Sequence, residues 1–213
     1  TISVNSLLVN LTRPTTTMQV LSIRQLAGAT VLCLSSLCPL VAHAIAYRVT
    51  LLNSNGEKGS ILRDVSGSSQ VGQLGNHAML WHGSAASQID LNPPTIRFSE
   101  ATGVDDDWQV GWGEGGLTSS FPEQTHALLW HGSAASVLDL NPPGFTISGA
   151  SAVFGSKQVG YGAGPSTGGK NHALIWSGAA NSAIDLHPEG KNFLFPDGYE
   201  TSYVHDISGS HQV

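Results

Sequence analysis

The segment His-Ala-x-Leu/Ile-Trp occurs three times in register, and this recurrence limits the possible folds more than any other feature of the chain. It stands at His77–Trp81, His126–Trp130 and His172–Trp176, with steps of 49 and 46 residues between the histidines. Each copy is followed by a small-residue turn, at Gly83 to Ala86, Gly132 to Ala135 or Gly178 to Ala180. Then comes Ile89-Asp90-Leu91, Leu138-Asp139-Leu140 or Ile184-Asp185-Leu186. Gln-Val-Gly precedes each copy, at Gln70, Gln109 and Gln158, and a fourth begins at Gln212. Such a period marks an array of small units that each bury an apolar face on a neighbour.

One unit holds four short runs, which in the third copy are Ala150 to Phe154, Lys157 to Gly162, His172 to Trp176 and Ser182 to Leu186. The first two are joined by tight turns, at Ser66-Gly67-Ser68, Asp105-Asp106-Asp107, Gly155-Ser156 and Ser208-Gly209-Ser210, whose residue types suit hairpins. In the third run Ala173 and Ile175 point one way and Leu174 and Trp176 the other. A strand apolar on both faces lies between stacked sheets. The expected fold is therefore all-β, a β-propeller-like array of four-stranded antiparallel blades forming part of a ring. A β-solenoid fits less well, because the steps between Gln-Val-Gly segments vary from 39 to 54 residues. Charged residues make up only 11% and Gly numbers 25, which suits strands and turns rather than surface helices.

The N-terminal region reads as a targeting segment. From Met18, Arg24 supplies the positive charge and Leu26 to Ala42 an apolar stretch. Small residues at Ala42 and Ala44 then frame a cleavage point after Ala44. Residues 18–44 are expected to be a signal-peptide helix, and residues 1–17, upstream of the first Met, are assigned no function. Residues 45–213 form the repeat domain. Cys33 and Cys38 lie within the signal, so the exported part has no thiol. Its stability rests on packing. Loss of Arg13 and Arg24 leaves seven basic residues against fifteen acidic ones, a balance that argues against nucleic acid or an anionic membrane as partner. No membrane span is expected in the mature chain.

His-Ala-x-Leu-Trp, Asp-Leu and Gln-Val-Gly, recurring in register over residues 47–213, resemble the HAF repeat of bacterial extracellular proteins. The chain carries Met79, Leu128 and Leu174 where that family has its name-giving Phe. The resemblance implies an exported repeat protein without an established activity.

The repeated side chains read as structural. His77, His126 and His172 share a strand face with Trp81, Trp130 and Trp176. They sit on successive units and do not form one cluster, so each is expected to bond a neighbouring backbone group or hydroxyl, not a metal. Asp90, Asp139 and Asp185 are expected to accept backbone N–H groups at a turn. Asp105-Asp106-Asp107 reads as an exposed turn, because its counterparts are Gly-Ser turns without the ligand spacing of a calcium loop. No nucleophile-elbow, metalloprotease, phosphate-loop or paired-Cys motif is present. No catalytic residue, metal or cofactor is expected.

Loops after the second and fourth strands open on one side and vary in length, whereas the opposite side has short, uniform turns. Variable loops on a constant scaffold are where binding resides. Trp112, Phe121, Tyr161, Phe193, Phe195 and Tyr199 gather there, suited to stack on sugars or to anchor a protein. The expected function is a secreted, non-catalytic binding or surface-interaction module, with polysaccharide or another surface protein as partner. The alternative is an extracellular glycan hydrolase or lyase, which would require Glu114, Glu123, Glu189 and Asp197 to converge. Residues 47–53 resemble a fourth strand without its first three, since Leu52-Asn53 matches Leu91-Asn92. They are expected to close the ring with further units beyond Val213.

Overall fold

Alternating apolar residues and two-residue Gly, Ser or Asp turns dictate hairpins, and hairpins build this fold. The computed structural model describes residues 8–11, 47–52, 59–114, 124–188 and 200–213. The chain divides into two compact units, residues 9–49 and the remainder. In the N-terminal region, β1 (Leu8–Leu11) and β2 (Tyr47–Thr50) form a two-stranded sheet. The segment read as a signal, 18–44, lies outside the described residues.

The larger unit is a run of antiparallel meanders. The first sheet is β3 (Ser60–Ser66), β4 (Ser69–Leu74), β5 (His77–Trp81) and β6 (Ile89–Asp90). The second is β7 (Phe98–Asp105), β8 (Trp108–Glu114), β9 (Thr125–Trp130) and β10 (Leu138–Asp139). The third is β11 (Ile147–Phe154), β12 (Lys157–Ala163), β13 (His172–Trp176) and β14 (Ile184–Asp185). A hairpin, β15 (Ile207–Ser208) and β16 (His211–Gln212), begins a fourth. The fold is all-β, built of four-stranded antiparallel sheets. No helix among the described residues is long and apolar enough to cross a membrane.

Three of the four expected runs agree with the strands, the first extending back to Ile147. The fourth is shorter than Ser182 to Leu186. Ala180–Ser182 curls into a 3-10 turn instead. There the Ser182 hydroxyl accepts the Ser177 N–H at 2.8 Å and donates to the Ala179 carbonyl at 2.6 Å. A Ser that serves its own turn has left the ladder.

Strand register sorts each sheet into two faces. Val71, Ala78 and Leu80 lie on the front of the first sheet, and Met79 and Trp81 on its back. The front packs on the back of the second sheet, where Ala101, Val104, Leu128 and Trp130 complete one apolar cluster with Leu91. The same set recurs one sheet on. Val110, Ala127, Leu129 and Leu140 meet Ala150, Val153, Leu174 and Trp176. Between the third sheet and the last hairpin, Val159 and Ala173 meet Val204 and Ile207. Each interface thus repeats the residue set of the one before, and Trp130 and Trp176 are fully buried in theirs.

Two features of the first hairpin explain recurrent residues. A register shift interrupts each first strand, between Leu62 and Asp64, Ala101 and Gly103, or Ala150 and Ala152, as a β-bulge does. The bulge brings a carbonyl against the Gly of Gln-Val-Gly. A Cβ on Gly111 would lie 1.9 Å from the Glu100 oxygen, and one on Gly160 would lie 2.1 Å from that of Gly149. The Gln of the same triplet anchors the turn after the third strand. Gln70, Gln109 and Gln158 Oε1 accept the N–H of Gly83, Gly132 and Gly178 at 2.7, 2.8 and 2.7 Å.

Candidate functional site

The repeated polar residues hold the sheets together. His77, His126 and His172 bond through Nδ1 to Oδ2 of Asp90, Asp139 and Asp185 at 2.7, 2.8 and 2.7 Å. Oδ1 of each aspartate accepts the N–H two residues on, from Asn92, Asn141 and His187, at 2.8 Å in each case. The aspartates therefore do accept backbone N–H groups at a turn. The histidine partner is a correction, since the ring bonds a carboxylate and not a backbone group or hydroxyl. A constant thirteen-residue separation between His and Asp carried that signal in the sequence.

A second contact, absent from the sequence reading, ties the end of each unit to the start of the next. Ser99 Oγ donates to Asn92 Oδ1 at 2.5 Å and accepts the buried Ala78 N–H at 3.0 Å. Ser148 does the same with Asn141 at 2.7 Å and the Ala127 N–H at 3.0 Å. At the third link Ser202 accepts the Ala173 N–H at 2.9 Å, and His187 Nδ1 takes the place of the amide oxygen at 2.8 Å. His187 also stacks on His172, with centroids 3.9 Å apart. Arg63 pairs with the buried carboxylate of Glu100 across the first interface. Asp105, on the turn of three aspartates, accepts the Gly155 N–H of the next turn at 2.7 Å. Among the described residues, no three His, Cys, Asp or Glu side chains are placed to hold a metal ion.

Trp112 and Tyr161 are equivalent residues, each three positions after the Gln of its Gln-Val-Gly. Each lies on the front face of its sheet, toward the long-loop end, and is half-buried. Trp112 stacks on Phe98 with centroids 5.3 Å apart and planes 19° from parallel. Tyr161 meets Tyr203 edge-on at 5.5 Å, and the Tyr203 hydroxyl accepts Asn171 Nδ2 at 2.7 Å. Gly149 makes room for Tyr161, whose ring lies 3.0 Å from where a Cβ would stand. Burial, then the neighbouring Tyr203, pushes the Tyr161 hydroxyl above the ordinary tyrosine pKa. Phe121, Phe193, Phe195 and Tyr199 lie outside the described residues. Phe98 and Tyr203 were not singled out in the sequence, because neither repeats.

Near the same end, a cavity of about 320 Å³ is lined by Pro142, Pro143, Phe145, Leu174, Ala183 and Asp185. Ala183 stands where the second unit has the bulkier Val137, which packs into the core there. Of the four carboxylates whose convergence would suit a hydrolase, Glu114 pairs with Arg97 at 3.3 Å. Glu123, Glu189 and Asp197 lie outside the described residues. No protein-family model matches the chain, and comparisons with curated proteins and with solved structures gave no match.

Proposed function

We propose that the chain is an exported, non-catalytic repeat protein of the HAF-repeat kind, its sheets forming part of a β-propeller. Its long-loop face binds a polysaccharide or another surface protein. The meander of short sheets, with β7 laid across the first sheet and β11 across the second, supports the propeller reading. The signal-like segment from Met18 supports export. Binding rests on one observation above the others: Trp112 and Tyr161 stand at equivalent front-face positions, half-exposed, and each is backed by a second ring. A ring braced in this way gives up little freedom when a ligand stacks on it.

A glycan-array screen of the secreted protein, paired with capture of surface proteins on immobilised chain, tests the binding reading. Saturable binding without turnover of the bound glycan supports it. Release of shortened sugar chains would replace it with the hydrolase or lyase reading. N-terminal sequencing of the exported product tests export, with cleavage expected after Ala44.

A further inference from the structure

We propose that the cavity between linker residues 142–145 and the β14 edge of the third sheet is a pocket for one neutral sugar ring. It is a second site, beyond the aromatic pair of the proposed function, since neither Trp112 nor Tyr161 lines it.

A small residue opens the space. Ala183 stands two positions before Asp185, as Val137 stands two before Asp139. Val137 packs against the apolar cluster of its own sheet, whereas the alanine leaves about 320 Å³ beside Phe145 and Leu174. That volume is at the low end for ligand pockets, so it admits one ring and not a length of chain.

The lining runs from apolar to polar. Pro142 and Leu174 are buried, Phe145 and Ala183 half-buried, and Ser166, Asn181 and Asp185 exposed at the mouth. A sugar has the matching halves: a face of C–H groups for the wall of Phe145 and Leu174, and hydroxyls for the rim. The Ser166 hydroxyl and the Asn181 amide each donate and accept, and neither side chain is bonded elsewhere among the described residues. The Ser166 N–H donates to the Gly144 carbonyl at 3.2 Å, which ties this part of the rim to the linker wall.

Asp185 supplies a fixed acceptor. Its Oδ1 takes the His187 N–H at 2.8 Å and its Oδ2 bonds the His172 ring at 2.7 Å. Each oxygen keeps a lone pair for a ligand hydroxyl. No Lys or Arg lines the cavity, so a sulfated or uronic sugar would meet that carboxylate without a compensating cation.

Saturation-transfer NMR of the full chain with D-glucose, D-galactose, D-mannose and N-acetyl-D-glucosamine tests this, followed by titration of each sugar that gives a signal. At least one should saturate, with a dissociation constant on the order of 1 mM. Ala183→Val should raise that constant at least about tenfold by filling the cavity. It should keep the parent's circular dichroism, because the second unit already holds Val at this place. Asn181→Ala, at an exposed position, should raise the constant at least about threefold and carries the test if the valine disturbs the fold. The double variant Trp112→Ala/Tyr161→Ala should bind the sugar like the parent. Loss of the sugar in that double variant alone would place the ring on the aromatic pair and overturn the pocket while the proposed function stands. No saturation by any of the four sugars would overturn it too, as would parent-like binding by both Ala183→Val and Asn181→Ala.

Discussion

Ser148 gives its hydroxyl proton to the side-chain oxygen of Asn141, seven residues before it, at 2.7 Å. The same oxygen of Ser148 receives the buried N–H of Ala127 from the sheet that Asn141 has just left. One hydroxyl thus joins a linker, an outgoing sheet and an incoming strand. Ser148→Ala should destabilise the chain by about 1–3 kcal/mol, because it strands a buried backbone donor as well as the amide oxygen. Chemical denaturation of the variant measures this, and a change below about 0.5 kcal/mol would mean that water reaches the site.

Gly111 has no room for a side chain, since a Cβ would meet the Glu100 carbonyl oxygen at 1.9 Å. The obstacle is backbone held by a bulge, and it cannot swing away as a side chain could. Gly111→Ala should therefore cost about 3 kcal/mol or more. Gly132→Ala, at φ 71° with open space around its Cβ position, should cost only about 1–2 kcal/mol through backbone strain. Thermal melts of the two variants should rank them in that order.

Trp130 is fully buried between the first two sheets, yet its indole N–H, like those of Trp81 and Trp176, meets no acceptor among the described residues. Trp130→Ala should cost about 3–5 kcal/mol for the lost packing. Trp130→Phe should cost less than about 2 kcal/mol, since it keeps most of the buried ring and removes the unpaired donor. Equal losses for the two would show that the N–H is bonded after all.

Burial and the neighbouring Tyr203 hold the Tyr161 hydroxyl above the usual tyrosine value, which is about 10. The folded chain therefore retains that proton more strongly than the unfolded chain. The resulting stability is complete below about pH 10 and is lost as pH rises through the folded value. Spectrophotometric titration should show one tyrosine ionising late, and Tyr161→Phe should remove it and flatten the alkaline fall in stability. A late tyrosine that persists in Tyr161→Phe would place the effect elsewhere.

The architecture was legible because the repeat enforces it. His-Ala-x-Leu/Ile-Trp must alternate its faces, and a turn such as Gly155-Ser156 allows only a hairpin, so β13 and the first hairpin of each unit could be read directly. The cross-sheet contacts were less legible. Asn92 and Ser99 look like ordinary linker and strand residues, and their pairing depends on how the chain folds back. At the third link the same role falls to His187, fifteen residues before Ser202, so no constant spacing announces it. The aromatic face was only half legible. Trp112 and Tyr161 share a register, but Phe98 and Tyr203, which brace them, recur nowhere else and carry no periodic signal.

Under the proposed function, ligand binding belongs to the long-loop face. Isothermal titration with the best glycan or protein partner from the screens tests it most directly, using the parent, the double variant Trp112→Ala/Tyr161→Ala, and Trp108→Ala. Trp108 is an exposed tryptophan on the short-turn side, packed on His131 at 4.6 Å, and so serves as the matched control. The double variant should lose at least about tenfold in affinity while Trp108→Ala binds like the parent. Full affinity in the double variant, with binding lost in Trp108→Ala, would place the site on the opposite face and contradict the account.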